Sequence, residues 1–279
     1  MTIDMSTTRT DLALESVQAA CSGAETGTIS GVRSRERTRE GYAVTDIRVE
    51  DEDGAQALGK PVGRYVTVYL GPYSRREADY FDRGVRCLAG ELAALLPEGP
   101  VLAAGLGNRA MTCDAVGPAS IDNLLVTRHM IRAMPRQFAD FRPVAAVCPG
   151  VLARTGLEAL ELVRGAVERV RPAAVIAVDA LAARDSARLC ATVQLSDTGL
   201  VPGSGVGNRR SALDRGTLGV PVIAVGIPTV VDADPRAGLF LTPRDIDQRI
   251  RELGRLLGYG ITLALQPSLT AADVTALLG

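Results

Sequence analysis

Two aspartates stand where a folded chain could use them. Asp179 ends the apolar run VIAVD (175–179), and Asp114 sits between glycine turns in GLGNRAMTCDAVGP (105–118). Two carboxylates at close range do not both ionise easily. One pKa rises and the pair can share a proton. One group then activates water while the other protonates a leaving amine. Each residue also has a plainer reading. Asp179 could equally cap a following helix. Asp114, on sequence alone, reads first as a turn aspartate bonded to its own backbone. Asp197 and Asp232 are weaker candidates of the same kind.

Other chemistries find little support. The chain has one histidine, His129, and five cysteines at 21, 87, 113, 148 and 190. No His/Cys cluster has zinc spacing. A serine triad would need His129, yet no G-x-S-x-G elbow is present, and PGSGVG (202–207) lacks the strand-to-helix setting. Cys113 or Cys148 could pair with His129, but a lone cysteine is usually an inert small hydrophobe. GLGNRA (105–110) fits G-x-G-x-x-A, but Gly117 and Pro118 stand against the early helix that a dinucleotide site needs. No glycine cluster is followed by GK[ST].

Such residues must be positioned by something. VLAAG (101–105), VAAVC (144–148), VIAVD (175–179), LCATVQL (189–195) and VPVIAVG (220–226) read as buried strands. Helical period falls at Ser74–Leu96, Ser120–Met134, Thr155–Val170, Thr242–Leu257 and Ala271–Leu278, with Thr155 and Glu158 spaced as a capping box. Apolar strands alternating with amphipathic helices predict an α/β fold: a mostly parallel buried sheet with helices on both faces. Val44–Val49 and YVTVYL (65–70), joined by a turn in GAQALGKP (54–61), predict an antiparallel strand pair near the N-terminus. Residues 1–41 form a polar N-terminal segment with one amphipathic stretch, Leu12–Ala20, and 42–279 one domain. Ligands of open α/β sheets bind past the carboxyl ends of the strands. The glycine- and aspartate-rich loops after the five runs are expected along that edge.

Composition narrows the class. The 279 residues carry 31 Lys+Arg against 32 Asp+Glu, with no basic stripe for a phosphate backbone, so nucleic acid is not an expected partner. Arg33, Arg35, Arg37 and Arg39 are interrupted by Glu36 and read as a solvated surface. The odd cysteine count without CxxC spacing fits a reducing compartment. No basic-then-apolar leader opens the chain, and no run of about 18 apolar residues could span a membrane. A soluble, cytoplasmic protein is expected.

The loops are also recognisable as strings. TDLALE (10–15), GKPVGRYVT (59–67), GLGNRAMTCDAVGP (105–118), PGVLARTGLE (149–158), VDALAARD (178–185), QLSDTGLVPGSGVGN (194–208), LGVPVIAVGIPTVVDA (218–233), LTPRDID (241–247) and GYGITLAL (258–265) resemble, in order and over nearly the whole chain, the germination protease family of endospore-forming bacteria. That resemblance implies an aspartate-dependent endopeptidase (not pepsin-like), cytoplasmic within the spore, that degrades small acid-soluble spore proteins. It places the two essential aspartates at Asp114 and Asp179. It implies a fold like that of hydrogenase-maturation proteases, which use carboxylates near a metal, and a homo-oligomer (tetramer). With no His/Cys cluster in the chain, no cofactor or metal is expected. The resemblance also implies a self-processing zymogen cut between an acidic and an apolar residue, here Asp11 and Leu12, with 1–11 as propeptide.

For substrate or oxyanion binding, the turns point to Gly105, Gly107, Asn108, Asp197, Gly205 and Asn208. The chain departs from the family pattern in three places. Cys113 replaces the usual proline, Arg154 the usual glutamine, and the stretch from Asp232 to Thr242 is short. Two rival readings use the same groove. One is a metal-assisted peptidase of the hydrogenase-maturation type, and the other is a non-catalytic binder of spore proteins or a nucleotide.

Overall fold

The structure, a computed structural model, describes residues 10–22, 29–207, 210–234 and 238–278. Among them, one sheet is built from β1 (Val32–Arg39), β2 (Tyr42–Val49), β3 (Gly63–Tyr69), β4 (Val101–Leu106), β5 (Val144–Gly150), β6 (Ala174–Ala183), β7 (Thr192–Ser196), β8 (Val222–Asp234) and β9 (Leu239–Leu241). Its order is β1-β2-β3-β7-β8-β6-β4-β5, with β9 paired to β8. β8, β6, β4 and β5 run parallel. All six residues of β4 are buried, because a parallel strand covered on both faces has no solvent side. The parallel core is therefore as expected. The predicted antiparallel pair is β2 and β3, with Val44 opposite Val68.

The two faces are covered differently. On one, Val66, Ala103, Ile176, Val193 and Val225 pack with Val85 and Leu88 of the helix Tyr80–Ala93 and with Leu253 and Leu257 of Ile246–Leu265. On the other, the helix Ala159–Val170 packs Leu160 and Val163 on Leu102, Ala104 and Val175. The helix Ala13–Ser22 places Ala13 and Leu14 on Ile47 and Tyr65 at the other end of that face. Between these two clusters the sheet carries polar residues. Alternation along a strand puts Asp179 on this face with Val175 and Ala177, and registry aligns Gln194 of β7, Gly226 of β8 and Asp179 of β6 in one row.

Several elements differ from expectation, each for a physical reason. β7 is antiparallel to both neighbours; an apolar run carries no direction. The loop that follows it, expected along the carboxyl edge, starts at the opposite edge and returns, so that Ser204 reaches the end of β6. The region 74–96 is two helices, Gly71–Ser74 and Tyr80–Ala93, parted by Arg76 and Asp79 at positive φ. The region 120–134 splits into Val116–Ile121 and Arg128–Ala133. Gly156, at φ +72°, ends Leu152–Thr155, and the capping box belongs to Glu158 and Glu161. The last long helix starts at Ile246 and continues to Leu265. GAQALGKP lies mostly in a helix, Glu52–Leu58, which Asp51 caps through the Gly54 N–H and Gly59 ends. The arginine run is β1, hydrogen-bonded to β2. Its side chains are mostly exposed, but Arg37 and Arg39 both ion-pair with the buried Glu91. No helix among the described residues is long and apolar enough to cross a membrane.

Candidate active site

Asp179 is held by the sheet itself. It lies opposite Gly226, is 6% exposed, and accepts a 2.9 Å hydrogen bond from the Ala180 N–H. Burial drives its carboxyl well above the ordinary carboxylate range, and the nearby charges of Asp114 and then Asp11 add to the rise. A buried carboxyl facing like charge favours its protonated form. Asp179 continues β6 to Ala183 rather than capping a helix.

Asp114 reaches the same place from β4. The chain leaves that strand through Gly107, at φ +106°, and returns in the 3-10 turn Thr112–Asp114. A Cβ on Gly107 would lie 2.0 Å from the Asp114 carbonyl oxygen, so only glycine allows this approach. The Asn108 N–H donates to the Asp114 carboxylate at 2.8 Å. Burial raises this carboxyl too, with the Asn108 bond pulling the other way. Thr229 of β8 donates to the Cys113 carbonyl at 2.6 Å and so ties the turn to the sheet. Burial and the Asp114 charge push the Cys113 thiol up, so it stays a thiol beside the site.

Asp114 and Asp179 line one groove of about 1310 Å³. The chain's own Asp11 lies in it. The N–H and C=O of Ala182 both engage Asp11: the amide donates to its carboxylate at 2.9 Å, and the carbonyl accepts from the Asp11 N–H at 2.9 Å. This happens beyond Val178, where β4 stops pairing with β6. The Ser204 hydroxyl donates to the other carboxylate oxygen at 2.7 Å. Leu12 is fully buried against Ala183 and Val231. Glu15 anchors the segment further on, accepting from the Arg184 and Asp185 N–H groups at 2.7 and 2.9 Å. The carbonyl of Asp11 accepts from Lys60 Nζ and from Gln194 Nε2, each at 3.0 Å.

The other residues singled out by sequence separate. Gly107 and Asn108 line the groove, but the Asn108 N–H is taken by Asp114 rather than left for an oxyanion. Gly205 borders Asp11 so closely that a Cβ would lie 2.1 Å from its carboxylate. Gly105 serves packing: a Cβ there would meet the Gly117 carbonyl at 2.6 Å. Asp197 accepts from the Arg64 N–H at 2.8 Å and fixes the start of β3, outside the groove lining. Asn208 lies outside the described residues. His129 is exposed on its helix, and Asp232 is buried on β8 away from the groove lining. Among the described residues no three His, Cys, Asp or Glu side chains are grouped to hold a metal ion. Lys60, Gln194 and Ser204 were not legible as site residues. Each sits inside a recognisable string, but what it acts on is a segment far away in sequence.

Comparison with known proteins places the chain in a family. A family model for germination protease matches residues 9–237. A germination protease of Caldanaerobacter subterraneus subsp. tengcongensis is 39% identical over 97% of this chain and 98% of its own. One from Clostridium perfringens is 36% identical over 97% and 98%, and one from Priestia megaterium 38% over 95% and 76%. Among solved structures, the NiFe hydrogenase maturation protease HycI from Thermococcus kodakarensis KOD1 is 17% identical, with a TM-score of 0.40 over 63% of this chain and 99% of its own. With the family model and full-length relatives matching over most of its length, this chain belongs to the germination protease family of peptidases.

Proposed function

We propose that the protein is an endopeptidase that hydrolyses small acid-soluble spore proteins during germination, is made as a zymogen, and cuts its own Asp11–Leu12 bond with an aspartate pair. The observation that supports this most directly is the seating of Asp11 in the groove lined by Asp114 and Asp179. Asp179, the more deeply buried carboxyl, holds the shared proton, and Asp114 is the base. Asp114 takes a proton from water as the water oxygen bonds to the Asp11 carbonyl carbon. Asp179 delivers its proton to the Leu12 nitrogen as the C–N bond breaks. The products are a new carboxyl at Asp11 and an amine at Leu12, with no covalent enzyme intermediate. The apparent pKa values belong to the pair rather than to either residue.

The test is Asp114→Asn and Asp179→Asn, assayed separately on a purified acid-soluble spore protein and for self-conversion by intact mass. Both variants should lose activity while staying folded. Full activity in either one removes the dyad.

A further inference from the structure

Resting on that reading of the Asp11–Leu12 bond, we infer that Lys60 and Gln194 form the oxyanion site of this peptidase, a role that falls to two side chains rather than to the glycine-loop amides. The glycine turn after β4 has no free amide at Asn108, which already holds Asp114. The Asp11 carbonyl, by contrast, has two donors: Lys60 Nζ and Gln194 Nε2, each at 3.0 Å.

Gln194 does more than donate. Its Oε1 accepts from the Ala13 N–H at 2.7 Å. One side-chain amide therefore brackets Leu12, gripping the carbonyl before it and the amide after it. Its place on β7, in the same sheet row as Asp179, keeps that bracket in register with the catalytic carboxyl. Lys60 follows the αL glycine that ends the helix Glu52–Leu58. Its ammonium also donates to the Thr10 carbonyl at 3.2 Å, which fixes it over the bond. Burial lowers the Lys60 pKa, with Asp11 and Glu15 opposing. A desolvated ammonium is a stronger donor than one in water.

The chemistry follows from these contacts. As water attacks, the carbonyl π pair moves onto oxygen, and the two donors hold the charge that develops there. The pair returns when the C–N bond breaks. No proton leaves Lys60, and Gln194 cannot ionise. Such donors matter most in the transition state, so removing one lowers kcat more than it raises KM.

The experiment uses Lys60→Met, Lys60→Arg and Gln194→Ala in the full chain. Self-conversion is followed by intact mass. Variants that do not convert themselves are converted by a trace of wild-type enzyme, which is then removed. Steady-state cleavage of a peptide carrying Thr-Asp-Leu-Ala-Leu-Glu gives kcat and KM separately. Lys60→Met and Gln194→Ala should lower kcat by about 100- to 1000-fold with KM changed much less. Lys60→Arg, which keeps a cationic donor, should recover part of the loss. An unchanged kcat with raised KM would make these residues docking groups only and overturn the inference. A substrate-side test needs no variant to fold: the same peptide N-methylated at its first Ala cannot donate to Gln194, and should be cut poorly. If it is cut as well as the parent, the bracket is wrong. The mass of the fragment released by the wild type tests the underlying reading separately. Release at any bond other than Asp11–Leu12 removes both that reading and this inference.

Discussion

The hydroxyl of Ser204 donates to the Asp11 carboxylate at 2.7 Å across 193 positions of sequence. With the Ala182 N–H on the other oxygen, it makes a small pocket around the Asp11 carboxylate; on the proposed reading, this pocket recognises an acidic side chain before the bond to be cut. A hydrogen bond to a charged group is worth about 1.5–3 kcal/mol. Ser204→Ala should therefore slow self-conversion at least about tenfold. Asp11→Leu, which leaves both donors without a partner, should slow it further. Intact-mass time courses check both, with thermal melts to show that the fold is unaffected.

The raised carboxyl of Asp179 predicts a conflict between stability and activity. Its folded-state pKa lies above the unfolded value of 3.8. Between those two values the folded state binds the extra proton, so stability falls as pH rises. The contribution is fully present below the unfolded value and lost as pH passes the raised one. Asparagine at 179 keeps the shape and cannot ionise. Asp179→Asn should be inactive, yet melt higher than the wild type near pH 7, with the gap closing as pH falls toward about 4. Melting curves over that range measure it. A variant less stable than wild type at every pH would contradict the assignment of the buried charge.

Much of this fold was readable because parallel buried strands leave long apolar runs, as in VLAAG and VIAVD. β1 was not, because an edge strand carrying Arg33, Arg35 and Glu36 outward looks like solvated loop. The direction of β7 was hidden because LCATVQL reads the same toward either end of a sheet. Arg76 and Asp79 broke a helix through positive φ, which sequence rarely signals at residues other than glycine. At the site, Asp179 could be found from its strand end, while Asp114 rose above a turn residue only through the string around it. Lys60 and Gln194 stayed unmarked. Their roles depend on contacts 49 and 183 positions away, and neither type is diagnostic alone.

Gly107 is the hinge on which Asp114 depends. Alanine there must adopt φ +106° and place its Cβ 2.0 Å from the Asp114 carbonyl. Such strain costs on the order of 1–3 kcal/mol if the backbone holds, and if it yields, Asp114 moves. Gly107→Ala should therefore lose most activity, because a shift of about 1 Å can cost a hundredfold in rate. Gly165 in the helix Ala159–Val170 is the control. Nothing lies within 4 Å of a Cβ there, so Gly165→Ala should keep full activity and gain roughly 0.5–1 kcal/mol of stability. Peptide cleavage and urea unfolding of both variants decide the point.

Thr229 ties the turn that carries Asp114 to β8 through the carbonyl of residue 113, not through its side chain. Two opposite outcomes follow. Thr229→Val keeps the shape but leaves that carbonyl unpartnered, at a cost of about 1–3 kcal/mol. The 3-10 turn carrying Asp114 is then free to shift, and kcat should fall more steeply than stability. Cys113→Pro keeps the carbonyl and restores the residue that the family strings lead one to expect. The Cys113 thiol, held protonated by burial and by Asp114, has no place in the proton transfers. Cys113→Pro should therefore cleave peptide at close to the wild-type rate, and its pH profile should match. If the proline variant were inactive while Thr229→Val kept full activity, the thiol rather than the Thr229 tie would be what the turn needs.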